Sequence, residues 1–176
     1  MHPEARAGLA KMLADTGLAL DEEWEVLDLG GRDINGGIRD LIPNANWTGV
    51  DVVAGPGVDL VWDCTRPWPK DFPKFDLVVC TEVLEHVAAW RELVKVCGQA
   101  LKPDGANTVY FTCASTGRRP HGASGALNPA PGEWYRNVSW QELTDELETL
   151  YRHHGATYNP NPGDLYAWAS ELKPTW

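Results

Sequence analysis

The sequence predicts an α/β fold: a mostly parallel sheet with helices on both faces, closed by an antiparallel β-hairpin. Three observations predict it. Short β-rich runs alternate with stretches of helical period along most of the chain, the order that builds parallel sheets. The first of these runs stops abruptly at Gly30-Gly31. The last two flank Asn161-Pro162-Gly163, a turn sequence suited to a hairpin.

The elements follow in order. Pro3 to Leu18 reads as a helix with Leu9, Met12 and Leu13 on one side, within an N-terminal helical segment of residues 1–20. Strands are expected at Trp24–Leu29, Trp47–Val52, Val58–Trp62, Phe75–Cys80 and Asn107–Thr112, with a brief helix over Gly36–Ile42 ended by Pro43. Between Val52 and Val58 there is no room for a crossover helix. The reading adopted is two very short strands joined by an extended return through Ala54-Gly55-Pro56-Gly57; the alternative is that Val58–Trp62 is not a parallel strand. A long helix is expected from Val83 to Leu101, because Val83, Val87, Trp90, Val94, Cys97 and Leu101 recur every three or four residues. Lys102-Pro103-Asp104-Gly105 stops it. Ser139-Trp140-Gln141-Glu142 is a capping box opening a helix that turns Trp140, Leu143, Leu147 and Leu150 inward. Ala156–Asn159 and Leu165–Leu172 form the closing hairpin, and His153-His154 reads as a helix-terminal pair without a catalytic role.

At 176 residues one domain spanning 1–176 is expected, without need of disulfides. The four cysteines have neither CxxC spacing nor small-domain density, so free buried thiols of a reducing, cytoplasmic protein are expected. The first residues do not form a secretory signal, and no apolar run is long enough to cross a bilayer. Fifteen basic against 25 acidic residues give a net charge of −10, which disfavours binding to a nucleic-acid backbone.

In a parallel sheet the informative residues follow the strands. Gly30 and Gly31, after Asp28, allow close approach of a ligand, and a helix after them would offer free N–H groups to an anion. A tight turn without a ligand is the simpler alternative. Asp51, about 20 residues later at the end of the second strand, can accept both hydroxyls of a ribose. Together they describe an adenosine-type ligand. A nicotinamide dinucleotide is disfavoured, because G-x-G-x-x-G fails at Arg32 and Asn35.

From Trp24 to Leu172 the chain resembles the class I S-adenosylmethionine-dependent methyltransferases, especially small type-11-like members with a Rossmann-like sheet. Val26-Leu27-Asp28-Leu29-Gly30-Gly31 resembles the family's first motif and Gly49-Val50-Asp51-Val52 its ribose-binding acid. Trp62-Asp63-Cys64 is similar to its adenine-holding segment, and Phe75 to Val87, through Cys80 and Thr81, to its fourth-strand motif. The resemblance implies S-adenosyl-L-methionine as methyl donor, held by Asp28, Gly30, Gly31, Arg32, Asp51, Val52, Asp63, Cys64, Cys80 and Thr81. It implies methyl transfer to an O or N nucleophile of a small-molecule or modified-polymer acceptor. Two departures stand out. Arg32 replaces the motif's second glycine, which implies a different local conformation at the methionine end, with Arg32 able to face the carboxylate. The helix usual between strands two and three is missing.

Glu82, Glu85 and His86 are expected on one helical face beside the donor. Acids favoured by the helix dipole, an acid–base pair, and donors to Mg²⁺ or Mn²⁺ with His121 as a further ligand all remain open. Relatives acting on ubiquinone precursors and on small-RNA ribose ends use a similar Glu-x-x-Glu-His to hold metal. His86 and His121 are the candidate proton acceptors. The Gly- and Pro-rich tract 113–138, with Arg118, Arg119, His121, Trp134, Tyr135 and Arg136, is expected to be a mobile loop bordering the acceptor. A non-catalytic adenosine-ligand module of the same fold is the main rival reading.

Overall fold

The computed structural model describes residues 2–104 and 107–174; Gly105, placed above in the turn after the long helix, lies outside them. Helix α1 (Pro3–Asp15) is followed by β1 (Glu25–Leu29), β2 (Asn46–Asp51), β3 (Leu60–Val61) and β4 (Leu77–Thr81). Then come α2 (Trp90–Ala100), β5 (Thr108–Ala114), α3 (Trp140–Leu150), β6 (Tyr151–Asn159) and β7 (Asp164–Leu172). The sheet order is β3-β2-β1-β4-β5-β7-β6. All neighbours are parallel except β7, which is antiparallel to both β5 and β6.

Alternation along the central strands divides the core in two. Val26, Leu77, Val79 and Tyr110 face α1, where Leu9 and Leu13 meet them. Leu27, Val78, Cys80 and Phe111 face the opposite side, against Leu93, Val94 and Cys97 of α2 and Leu143 and Leu147 of α3. All four cysteines are free and buried. Helices therefore cover both faces, as the alternation of elements predicts.

The chain order reverses between β1 and β4, so the crevice beyond their carboxyl ends is where such a sheet binds ligands. Beside it, β2 and β3 pair in parallel through only Val50↔Leu60 and Asp51↔Val61, joined without a helix as expected. Two glycines permit the short return. Gly57 has φ +82, and Gly49 lies so close to the Gly57 carbonyl that a Cβ there would sit 1.7 Å from its oxygen.

Several elements differ from expectation. After the glycine pair there is no helix, only a 3-10 turn at Arg39–Leu41. The long helix does not run from Val83: Glu82 has φ +58, a backbone conformation that breaks a right-handed helix, and a 3-10 turn at Leu84–His86 precedes α2. Ser139 and Glu142 do form the capping box of α3, but Trp140 is 45% exposed rather than turned inward. β6 begins at Tyr151, so His153 and His154 lie on a strand and not at a helix end.

Candidate active site at the carboxyl ends of β1, β2 and β4

A cavity of about 790 Å³ opens at the reversal point. One wall is the turn after β1. There Gly30 takes φ +84, and its N–H and that of Gly31 both donate to the Val50 carbonyl, at 2.8 and 3.1 Å. Asp33 N–H donates to Pro56 O at 2.8 Å and Gly36 N–H to the Asp33 carboxylate at 2.7 Å. Asp28 lies beneath the turn. Burial, with the nearby charges of Asp51 and Asp33, pushes its carboxyl up to about 7, while Arg39 works in the opposite direction. Asp51 ends β2 at the cavity's edge, one oxygen accepting from Val53 N–H at 2.9 Å, and Val52 stands exposed next to it.

The opposite wall is assembled from distant parts of the chain. Glu82 accepts from the Thr112 hydroxyl at 3.0 Å, and its other oxygen lies 3.0 Å from His2 Nε2. The same imidazole nitrogen is 3.4 Å from Asp164, and Nδ1 is 3.1 Å from Glu4. Asp164 is fully buried and accepts from Arg118 at 2.8 Å. Burial opposes the charge on His2, but the carboxylates of Glu82, Glu4 and Asp164 outweigh it, so its pKa is raised.

Glu85 does not itself line the cavity: it is fully buried within this second wall, with one oxygen accepting from Ala114 N–H at 3.1 Å and Oε2 without a hydrogen-bond partner. Burial first, then Glu82, hold its carboxyl well above the ordinary range. His121 Nε2 is 3.9 Å from Glu85, and the rings of His86, His121 and Tyr135 meet edge to face with centroids 5.0–5.3 Å apart. Burial and the adjacent His121 push His86 down to about 4, so its ring is neutral at physiological pH. Its Nδ1 is buried without a hydrogen-bond partner. One ligand atom each from Glu85, His86 and His121 lie within 4.8 Å of one another. Glu82 is outside this group, because the break at its own backbone removes the shared helical face that the spacing suggested.

Of the residues singled out in the sequence, Asp28, Gly30, Gly31, Arg32, Asp51, Val52, Thr81, His86 and His121 line the cavity. Asp63, Cys64 and Cys80 do not. The Asp63 carboxylate folds back onto the Thr65 N–H and hydroxyl, at 3.0 and 2.7 Å. Cys64 and Cys80 are packed in the core. Trp134 is also off the cavity and half-exposed. The tract 113–138 starts as the end of β5 and is then tied down rather than loose. Arg136 N–H donates to Glu85 O, Val138 N–H to Ala114 O, and the Asn137 amide to Arg118 O, at 2.8 to 3.0 Å. Residues 118–123 and 125–127 line the same cavity as the glycine turn, and Gly125 abuts Asn35 so tightly that a Cβ would lie 2.6 Å from its amide nitrogen. His2 and Asp164 were not foreseen, since nothing local to either position marks them.

A family model described as a methyltransferase domain matches residues 1–123. The chain belongs to this methyltransferase family. It is 29% identical over 106 residues to the ubiquinone biosynthesis O-methyltransferase of Marinobacter nauticus, covering 52% of this chain and 43% of that protein. The chain thus spans less than half the length of that curated relative. Among solved structures, the DhpI–SAH complex covers 97% of this chain and 93% of its own, at 20% identity and a TM-score of 0.58. A Burkholderia thailandensis 1,6-didemethyltoxoflavin-N1-methyltransferase, solved with that compound and S-adenosylhomocysteine, covers 97% and 78%, at 17% identity and a TM-score of 0.63. At these identities the likeness is one of fold. No helix among the described residues is long and apolar enough to cross a membrane.

Proposed function

We propose that this methyltransferase-family chain takes S-adenosyl-L-methionine as donor and passes its methyl group to an O or N nucleophile of a small or polymer-borne acceptor. The observation that carries the reading is the pairing of the glycine turn after β1 with the Asp51 carboxylate across one cavity at the switch point. Asp51 would accept the two ribose hydroxyls, the Gly30–Gly31 backbone would admit the thioether portion, and Val52 would cover the adenine. Thr81 would face the sulfonium side. The proposal does not use the side chains of Asp63, Cys64 or Cys80.

In the reaction the nucleophile's lone pair forms a bond to the methyl carbon as the carbon–sulfur bond breaks. Its electrons neutralise the sulfonium, leaving S-adenosylhomocysteine. Most of the rate would come from holding the three reacting atoms in line. A protonated acceptor must also lose a proton. His86 and His121 are within reach of one another at the cavity wall. A ring as weakly basic as His86 suits orientation of the acceptor hydroxyl better than full proton removal, which leaves His121 as the acceptor of the proton.

Calorimetry with S-adenosylhomocysteine and NAD⁺ side by side tests the donor. Micromolar binding of the first with none of the second is expected; the reverse would overturn the reading. Donor binding without methyl transfer to any member of an acceptor library would favour a non-catalytic module.

A second reading adds a divalent cation. The buried, unpartnered Glu85 Oε2 and His86 Nδ1 beside His121 fit such an ion, since carboxylate oxygen and neutral imidazole are its usual donors. Glu85, His86 and His121 would hold it, and the ion would act as a Lewis acid toward an acceptor oxygen. The protein's own contribution would be to fix the donors: Ala114 N–H holds one Glu85 oxygen and Tyr135 packs on both imidazoles. A rise in unfolding temperature with Mn²⁺, absent in His121→Ala, supports this reading; no Mn²⁺ response in the wild type removes it.

A further inference from the structure

The wall that carries His86 and His121 compensates its own carboxylates. Glu82 accepts from the Thr112 hydroxyl and lies against His2, Glu85 accepts from Ala114 N–H, and Asp164 accepts from Arg118 and the Tyr166 hydroxyl. Glu133 accepts from the N–H groups of Ala123 and Ala130. One cation of this wall is left over. Arg119 lines the cavity and is exposed, and among the described residues no hydrogen bond or ion pair holds its guanidinium. The other arginines of the cavity differ from it. Arg118 is bound to Asp164, and Arg39 to Gly57 O and Asp59. Arg32 belongs to the opposite wall, with its stem against Gly55 on the β2–β3 return.

The main chain beneath Arg119 is fastened on both sides. Arg118 N–H donates to Ser115 O and the Asn137 amide to Arg118 O, each at 2.9 Å. The Arg119 carbonyl lies 3.2 Å from His121 Nδ1. A carbonyl only accepts, so Nδ1 carries the proton and the lone pair of a neutral His121 ring sits on Nε2. One short segment thus presents a free guanidinium and a basic nitrogen, on Cα atoms at most roughly 7 Å apart. The guanidinium's fork of N–H donors matches a carboxylate or a phosphate group. A single such cation in a chain of net charge −10 suits a small anion and not a nucleic-acid backbone, which needs many. The cavity, about 790 Å³, lies toward the upper end of the roughly 300–1,000 Å³ of single-ligand pockets, leaving room for a small molecule beside a donor.

We propose that the methyl acceptor is a small anion, whose carboxylate or phosphate group is taken by Arg119 while the O or N to be methylated faces His121 and the donor. This names the substrate class of the site described above and rests on the S-adenosylmethionine reading. Arg119 is then a specificity-determining residue: it selects acids over their neutral analogues and sets which end of the acceptor meets the methyl group.

Three probes of one shape separate charge from packing. Benzoate, phenyl phosphate and benzyl alcohol are titrated by calorimetry into protein saturated with S-adenosylhomocysteine. At least one of the two anions is expected to bind about tenfold or more tighter than the alcohol, the scale of a charged hydrogen-bond pair, and the tighter of them identifies the group. Arg119→Ala should bring that anion down to the level of the alcohol, and Arg119→Lys should recover part of the loss. Arg136→Ala is the control, since that residue is off the cavity and bound to Glu142, and it should leave the preference unchanged. S-Adenosylhomocysteine itself should stay within about threefold in every variant, because neither residue is on the wall of the glycine turn. Anions that bind no better than benzyl alcohol, or a preference that survives Arg119→Ala, would overturn the acceptor assignment while leaving the donor reading intact. A wild type that does not bind S-adenosylhomocysteine would overturn the donor reading, and the assignment with it.

Discussion

The wall built on β1 and β2 presents main chain and the open carboxylate of Asp51, with the one buried carboxyl of Asp28 beneath the turn, whereas the wall around Glu82, Glu85 and the 113–138 tract gathers several buried ionisable side chains. On the first, Asp51 sits at the rim and the glycine turn is fastened by short-range backbone bonds. On the second, residues from both ends of the chain meet: His2 from the cap of α1, Asp164 from the start of β7 and Arg118 from the loop after β5. The two walls therefore differ in how their charges are compensated. A rim carboxylate is solvated and available to a ligand. A buried one must be matched within the protein, so removing its partner disturbs the wall itself.

The largest effect expected from this contrast lies on the second wall. His121→Ala, and separately His86→Ala, should lower methyl transfer to an acceptor found by library screening by about a hundredfold or more, the scale of a lost proton-transfer or positioning group. Donor affinity should stay within about threefold. Because residues 118–127 reach the glycine turn through Gly125 and Asn35, the loop is also placed to act as a donor lid. A collapse of S-adenosylhomocysteine binding in His121→Ala, with the sheet still folded, would show that the two walls are one functional unit.

The next effect belongs to the first wall. Asp51→Ala should weaken S-adenosylhomocysteine by about 1.5–3 kcal/mol, through lost charge-assisted hydrogen bonds to the ribose. Unchanged affinity in a folded variant would remove the ribose assignment. Trp134→Ala is the matched control. It lies off the cavity and half-exposed, so both donor binding and turnover should stay within about twofold.

The difference between the walls also explains what could be read in advance. Strand ends, the Gly30-Gly31 turn and Asp51 follow from patterns within a few residues, and they sit where the sequence places them. Local pattern failed where one backbone conformation overrides it. The apolar stripe from Val83 to Leu101 has helical period, yet Glu82 at φ +58 and the 3-10 turn after it delay the helix to Trp90. The i, i+3, i+4 spacing of Glu82, Glu85 and His86 consequently sends Glu82 to His2 and Glu85 toward His121. The composition of the 113–138 tract suggested mobility, because the hydrogen bonds that fasten it run out to Glu85 and Asp164 or join its own two ends, Val138 to Ala114, and none of these links residues close in sequence. Asp164 and His2 are 162 positions apart, and no spacing rule reaches that far.

The smallest effect expected is also the one that isolates the second wall without needing an acceptor. His2 faces Glu4 on its own helix, Glu82 after β4 and Asp164 on β7, with Arg118 as the competing cation on Asp164. Its pKa in the folded chain is raised above the model-peptide value of about 6.5. The folded state therefore binds this proton more tightly than the unfolded one. The resulting stabilisation is fully present below about pH 6.5 and is lost as pH rises through the raised folded value. Glu82 responds in the opposite sense. Burial works to raise its pKa, but the hydrogen bonds from His2 and Thr112 and the charges of His2 and Arg118 outweigh it and hold it low. Its contribution is present above its unfolded value and is lost as pH falls through the depressed one. The pair is thus strongest in the mildly acidic range between those limits. Wild type should exceed His2→Gln in unfolding free energy by about 1 kcal/mol near pH 6, the order of a partly buried charged hydrogen bond. The gap should close above the raised His2 pKa, where the wild-type imidazole is itself neutral. Chemical denaturation of both proteins across that range measures it. A gap that stays constant with pH would mean that His2 fastens α1 by packing and neutral hydrogen bonds, and that the second wall is not balanced by charge.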